Sequence, residues 1–248
     1  MQQPEEIPIL PNVGVTHICD FLKTPRHYQY ARIEKKREAT PAMEEGIQFH
    51  MLVLEPEKFY KSYFTDLDLP EGVLVLKTVD DLKKFIVDNG QKPSGKKEDL
   101  KGQASMLISS DNTIIYDDWV ENQTRDKTFI SKVKWLALHE MRESILLHPF
   151  TARYLEFGKK EVFIEGEICG FNVRGRLDWV VDHQELPYVI VIDLKKTRSA
   201  EFHQFRNTVV KDSLYVQAAL YVKLLEMKYK RPVLFVWMAV EGDGPKIC

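Results

Sequence analysis

Residues Phe171–Arg198 read FNVRGRLDWVVDHQELPYVIVIDLKKTR. The stretch divides into two neighbouring strands. In the second, Val189, Val191, Asp193 and Lys195 share one face by the two-residue period, and Ile190, Ile192 and Leu194 share the other. Both faces are apolar until the C-terminal end, the pattern of a buried central strand with charge at its tip. In the first, Asn172, Arg174, Arg176 and Asp178 face one way, and Phe171, Val173, Leu177 and Trp179 the other. An aspartate and a lysine at the end of a buried strand are costly unless they are paired or bind a metal.

Two carboxylates sharing one site repel, so that one of them holds its proton. A divalent cation removes the conflict, and hard oxygen ligands favour magnesium or manganese over zinc. A lysine two residues after the second aspartate can then hold and polarise a water, or stabilise charge on a phosphate. Asp178, Asp193 and Lys195 in this arrangement point to metal-assisted phosphodiester hydrolysis. They fit equally a strand-end ion pair of Asp193 with Lys195 and a turn capped by Asp178, because D-x-K is short and common by chance.

Composition narrows the classes. The 248 residues suit one large domain, or one core domain with an insertion. Apolar residues make up 44% and charged residues 29%, an ordinary globular balance that can fill a core. The net charge is -2, so any affinity for nucleic acid must come from local clusters such as Arg174 with Arg176, or Lys195 and Lys196 with Arg198. No apolar run is long enough to span a bilayer, and the opening MQQPEEIPILPNV is polar and proline-rich, unlike a signal peptide. Cys19, Cys169 and Cys248 are odd in number and far apart, with no C-x-x-C, which argues against disulfides, a zinc ribbon and an iron–sulfur cluster. A reducing cytoplasmic setting is expected. No phosphate-binding G-x-x-x-x-G-K-[ST] loop occurs, so no ATPase motor is expected.

Along the chain, Thr16 is expected to cap a short helix that buries Ile18, Phe21 and Leu22. A basic helix, Arg26–Arg37, follows Pro25. The next helix, Glu44–Glu55, carries Ile47, Met51 and Leu54 on one side, with Phe49, Leu52 and Val53 widening the apolar face. Gly46 and His50 lie one turn apart, so they face the same way. The glycine would admit a close neighbour, and the histidine is either a satisfied core residue or a metal ligand.

Thr78 caps a helix at Val79–Asp88, and the turn NGQKPSG leads to another from about Lys96. This pair, residues 77–105, resembles the helix-extended-helix hairpin of SAP-type modules, which often bind DNA. It also fits a surface hairpin with solvated lysines. We take it as an insertion in the core domain. The longest helical pattern is Phe129–His148. A strand at Lys160–Glu165 and the turn GEICG precede the two strands quoted above, and Glu161 or Glu165 could bring a further carboxylate to them. After Arg198 the chain is polar to about Lys211. A helix at Leu214–Lys230 then sets Gln217 and Tyr221 side by side. The last strand, Val233–Val240, reads as buried and central, so a further C-terminal piece is expected.

Four short patterns now stand in order: G-x-x-x-H (Gly46–His50), G-x-x-D (Gly175–Asp178), D-x-K (Asp193–Lys195) and Q-x-x-x-Y (Gln217–Tyr221). The ordered set resembles the RecB-type branch of the PD-(D/E)XK nuclease superfamily. Within that branch the chain looks most like the RecE-type exonuclease (exonuclease VIII) family of phages and prophages. The resemblance rests on GIQFHMLVLEPEKF, on RGRLDWV followed by VIDLKKT, and on the helix through Tyr215–Tyr221. It covers about Thr16–Val240 and leaves the 77–105 hairpin as an extra.

The resemblance implies an α/β fold of the restriction-endonuclease type, with a mixed central sheet flanked by helices. It implies Mg2+, with Mn2+ as a substitute, held by His50, Asp178, Asp193 and the carbonyl of Leu194. Lys195 would position the attacking water. Gln217 and Tyr221 would line the site and contact DNA or order the lysine, and Arg174, Arg176, Lys196 and Arg198 would bind DNA. The implied activity is an ATP-independent DNA exonuclease that degrades one strand of a linear duplex from its 5′ end. The 3′ overhangs would serve recombination with a single-strand annealing protein, in the cytoplasm of a bacterial host and with no membrane role. A ring-shaped homo-oligomer is implied for processivity. The alternatives are a structure- or end-specific endonuclease on the same core, and an inactive DNA-binding or assembly module.

Overall fold

The computed structural model describes residues 13–34, 38, 40–109, 112–154 and 157–242. In chain order the elements are β1 (Val13–Gly14), α1 (Val15–Lys23), α2 (Pro25–Tyr28) running into a π-helical turn (Gln29–Ile33), α3 (Pro41–Leu54), α4 (Pro56–Ser62), β2 (Tyr63–Phe64), β3 (Leu74–Leu76), α5 (Val79–Asp88), α6 (Lys97–Leu107), β4 (Thr113–Ile115), α7 (Tyr116–Thr124), β5 (Thr128–Phe129), α8 (Lys132–Leu147), α9 (Pro149–Tyr154), β6 (Gly158–Ile168), β7 (Phe171–Val181), β8 (Val189–Thr197), α10 (Phe202–Lys211), α11 (Leu214–Tyr229) and β9 (Val233–Glu241). They fall into two compact units, Met1–Pro56 with Ala137–Cys248, and Glu57–Leu136. Among the described residues no helix is long and apolar enough to cross a membrane.

The first unit is built on a five-stranded mixed sheet. β6 pairs antiparallel with β7 along its length, from Gly158↔Val181 to Ile168↔Phe171. The opposite edge of β7 is shared: β1 runs parallel to it at Val173 and Arg174, and β8 runs antiparallel at Trp179–Val181. β9 then lies parallel to β8 over the whole of it. The β6–β7 hairpin turns on two residues, Cys169 (φ 52) and Gly170 (φ 80). Two left-handed residues in succession are what a type I′ turn demands, and its twist matches the strands. The turn is therefore shorter than GEICG, and β6 runs on past Glu165.

The core follows the expected alternation. Val189 to Leu194 are all buried, so β8 has apolar cover on both faces. One cluster joins Val15 of α1, Ile164 of β6, Val173 and Leu177 of β7, Val191 of β8 and Leu225 of α11. Each such side chain contributes about 1.5–3 kcal/mol by leaving water.

The parallel β8 and β9 need a crossover, and α10 with α11 supplies it. The chain at 202–211, read in sequence only as polar, is thus a helix that precedes the expected one. Its cap explains the difference: the Glu201 carboxylate accepts the N–H groups of His203 and Gln204, each at 3.1 Å. Glutamate is not among the usual capping residues, so the start carries no signal in sequence. β9 also departs from expectation. Among the described residues it pairs with β8 alone, and Leu234 is exposed. An apolar composition reports buried side chains and not which backbone edges are paired.

The N-terminal helices differ in detail. Gly14, not Thr16, is the N-cap of α1, and Phe21 and Leu22 are exposed while Asp20 is buried. Asp20 can turn inward because Arg32 binds it at 2.7 Å. The basic helix ends as a π-helical turn at Ile33, and residues 35–37 lie outside the described residues. α3 begins at Pro41, where Thr40 accepts the Met43 N–H. It buries Phe49, Leu52, Val53 and Leu54 and leaves Ile47 exposed.

The second unit has its own small core. Leu76, Leu82, Ile86, Leu100, Ala104 and Ile115 close α5 and α6 against β3 and β4, which pair in parallel on either side of the hairpin. Thr78 and Asp81 exchange hydrogen bonds as a capping box at the start of α5. Lys97 and Lys101 bind Asp117 and Asp118 of α7 at 2.7 and 2.8 Å, so these two lysines are already neutralised. Phe129 belongs to β5, and the long helix starts only at Lys132.

Candidate active site

The last ladder pair between β7 and β8 is Trp179↔Ile192. One more step of the register sets Asp178 opposite Asp193. There the Asp178 side chain takes over from the ladder: its Oδ2 accepts the Leu194 N–H at 2.7 Å. Its Oδ1 lies 3.5 Å from His50 Nδ1, which α3 brings in from its third turn. Lys195 Nζ lies 2.7 Å from Asp193 Oδ2. That oxygen is buried, and the Lys195 ammonium is the partner it meets there. His50, Asp178, Asp193, Leu194 and Lys195 are thus brought together.

The electrostatics follow from burial. Burial pushes the Asp193 carboxyl up to about 6, the Asp178 charge adds to this, and Lys195 opposes it. Burial also opposes ionisation of Asp178, but the His50 hydrogen bond, the charges of His50 and Lys195, and the Leu194 N–H outweigh it and lower its pKa. For His50 burial works downward, and the hydrogen bond and charge of Asp178 reverse the sign, so its pKa is raised. Two carboxylates face each other, and only one ionises freely. A hard divalent cation relieves that conflict, and two facing carboxylates, one of them buried, are the oxygen donors that suit it. The residues therefore fit a divalent metal. Among the described residues no three His, Cys, Asp or Glu side chains converge as a ready cage. The donors are drawn onto one another, His50 to Asp178 and Lys195 to Asp193.

The further carboxylate that the sequence allowed is Glu161, since Glu165 is exposed. Glu161 falls opposite Asp178, between the pairs Lys160↔Trp179 and Val162↔Leu177, and has a left-handed φ of 54 that interrupts the ladder there. Burial raises its carboxyl, Arg176 lowers it, and the charge of Asp178 raises it again. No sequence signal marks that backbone kink.

Tyr221 and Gln217 enter through α11. The Tyr221 hydroxyl donates to the Arg176 carbonyl at 3.1 Å, and burial raises its phenol. Its ring lies where a Cβ on Gly175 would stand. The glycine of G-x-x-D thus admits the tyrosine of Q-x-x-x-Y. Gly46 is different: among the described residues a Cβ there would meet nothing within 4 Å. Gln217 lies one turn from Tyr221 on α11 and lines a cavity of about 330 Å³ beside α1. Among the described residues neither side chain bonds Lys195.

The basic residues divide into two kinds. Arg176 pairs with Glu161 and, at 3.8 Å, with Glu55; Lys196 pairs with Glu45 at 3.2 Å. Arg174 and Arg198 are exposed and form no ion pair among the described residues.

The fold agrees with what the chain resembles. In fold it is similar to a crystal structure described as "Putative exonuclease" from Eubacterium rectale, with a TM-score of 0.50 and 11% identity, over 98% of this chain and 75% of that one. At that identity the likeness is one of fold. No curated protein matches the chain. Residues 14–246 match the family described as PDDEXK-like domain of unknown function (DUF3799). With the match spanning nearly its whole length, and with a mixed α/β sheet that carries Asp178, Asp193 and Lys195 at one end of its central strands, the chain belongs to this PDDEXK-like family.

Proposed function

We propose that the protein is a divalent-metal-dependent, ATP-independent nuclease that hydrolyses DNA phosphodiesters. More finely, we read it as a RecE-type exonuclease that shortens one strand of a linear duplex from its 5′ end. The observation that carries the hydrolytic reading is the register of Asp178 against Asp193, with Lys195 2.7 Å from the second carboxylate. His50, Asp178, Asp193 and the Leu194 carbonyl would hold the cation. When bound, it supplies positive charge to phosphate oxygens and lowers the pKa of water.

The chain's own residues do the rest. Asp178 holds the Leu194 N–H and so fixes the backbone at that point of β8. Lys195, anchored by Asp193, presents an ammonium that can orient the attacking water and stabilise charge developing on the phosphate. Tyr221 holds the Arg176 backbone next to Asp178. Arg174 and Arg198 supply phosphate contacts. Mg2+ is the natural cation for such oxygen-rich donors, with Mn2+ as a substitute. A single-strand annealing protein is the natural partner for the 3′ overhangs, and a homo-oligomer would give processivity.

The test is digestion of linear duplex DNA labelled separately at its 5′ and 3′ ends, with magnesium and no ATP, beside a closed circle and an Asp193→Ala control. Early release of the 5′ label as mononucleotides with the circle intact is expected. Cutting of the circle would make the protein an endonuclease. Absence of cutting on every DNA would make it a binding module.

A further inference from the structure

Trp237 of β9 is the in-register partner of Asp193, and Ala239 of Lys195. Neighbours across a parallel pair project to the same side of the sheet, so Trp237 stands beside the two site residues. Phe205 of α10 packs edge-on against Trp237, with ring centres 6.5 Å apart. α10 therefore forms a wall on the face that carries Asp193 and Lys195.

The rim of that wall has an unusual surface. Phe202, at the first turn of α10, is 72% exposed, and its ring meets the edge of the His203 ring at 5.4 Å. Arg206 lies one turn further on the same face and is exposed; Arg198 leads into the helix and is also exposed. Among the described residues neither arginine forms an ion pair. Glu201 caps the helix through His203 and Gln204 and so fixes the backbone from which Phe202 projects. An exposed aromatic ring flanked in sequence by two guanidinium groups that form no ion pair among the described residues matches the chemistry of an unpaired nucleobase with its flanking phosphates.

We infer that Phe202, with Arg198 and Arg206, is a stacking platform for a base of single-stranded DNA at the edge of the active site. This rests on the nuclease reading above and deepens it. The platform selects strands whose end is unpaired or can be unpaired, because a base inside a duplex offers no free face. Phe202 is a binding residue and plays no part in bond breaking.

The test is binding, measured by fluorescence anisotropy in EDTA so that no cleavage occurs. The probes are a labelled single-stranded oligodeoxynucleotide, an abasic strand of the same length and a blunt duplex. Phe202→Ala should weaken single-strand binding about tenfold and Phe202→Trp should restore it, as stacking energies imply. The abasic strand should bind wild type and Phe202→Ala alike, which a loss of folding would not produce. Arg206→Ala should weaken the normal and the abasic strand in parallel. Equal single-strand affinity for wild type and Phe202→Ala, or an equal loss on the abasic strand, overturns the platform, as it would if α10 docked another protein. End-labelled digestion by Phe202→Ala separates the two readings: cleavage with unchanged single-strand binding removes only the platform, whereas wild type that binds and cuts no DNA removes both.

Discussion

Asp178 Oδ2 accepts the N–H of Leu194 at 2.7 Å, one residue beyond the last ladder pair of β7 and β8. A side chain here replaces a backbone partner, so one carboxylate serves the sheet with one oxygen and faces His50 with the other. Asp178→Ala should leave the N–H unpaired at a cost of about 1–3 kcal/mol. Thermal unfolding should show this as a fall of roughly 2–4 °C per kcal/mol. Asp178→Asn keeps an acceptor and should melt close to wild type. Both should lose at least about a hundredfold in cleavage, as several kcal/mol of metal-assisted stabilisation implies. An Asp178→Asn protein that cuts normally would remove this carboxylate from the chemistry.

Asp193 and Lys195 should separate metal binding from catalysis. Asp193→Ala should abolish cation binding in calorimetry together with cleavage. Lys195→Ala should lose cleavage and keep the cation, since the ammonium only pairs with a ligand. Loss of cation binding in Lys195→Ala would give the lysine a structural role instead.

The two motif glycines should behave oppositely. At Gly175 a Cβ overlaps the Tyr221 ring, so Gly175→Ala should cost about 1–3 kcal/mol in urea unfolding and reduce cleavage. At Gly46, inside α3, a Cβ meets open space. Gly46→Ala should stabilise by roughly 0.5–1 kcal/mol from helix propensity alone. Destabilisation at Gly46 would mean that something approaches it after all.

In the second unit the Tyr116 hydroxyl donates to Asp66. Burial, with the Asp66 carboxylate, pushes the Tyr116 phenol up to about 12. A folded pKa above the ordinary value near 10 favours the folded state while the phenol stays protonated. That contribution is complete below about pH 10 and is lost as pH rises through about 12. Urea midpoints of wild type should therefore fall towards those of Tyr116→Phe over this window. A constant difference between the two up to pH 12 would contradict the shift.

The hairpin can be tested without breaking its core. Lys83, Lys84 and Lys92 are exposed and, among the described residues, form no ion pair. Changing all three to Gln should lower the slope of log affinity for DNA against log salt by about one for each phosphate that the hairpin no longer neutralises. An unchanged slope would leave the segment a solvated hairpin.

Period-two alternation in residues 171–181 and 189–197 was enough to place Asp178, Asp193 and Lys195 at one end of neighbouring strands, because alternation is a local property of extended chain. Helical spacing set His50 one turn from Gly46 and Gln217 one turn from Tyr221, while their place at the site came from the resemblance, and the capping box at Thr78 marked α5. Tertiary structure alone decided the rest. It made Gly175 the glycine that matters, through a ring arriving from α11. It neutralised Lys196 with Glu45 and Arg176 with Glu161, while leaving Arg174 and Arg198 exposed. It made the last strand an edge among the described residues. Each of these depends on partners far apart in the chain, and short-range periodicity carries no information about which distant charge or ring will arrive.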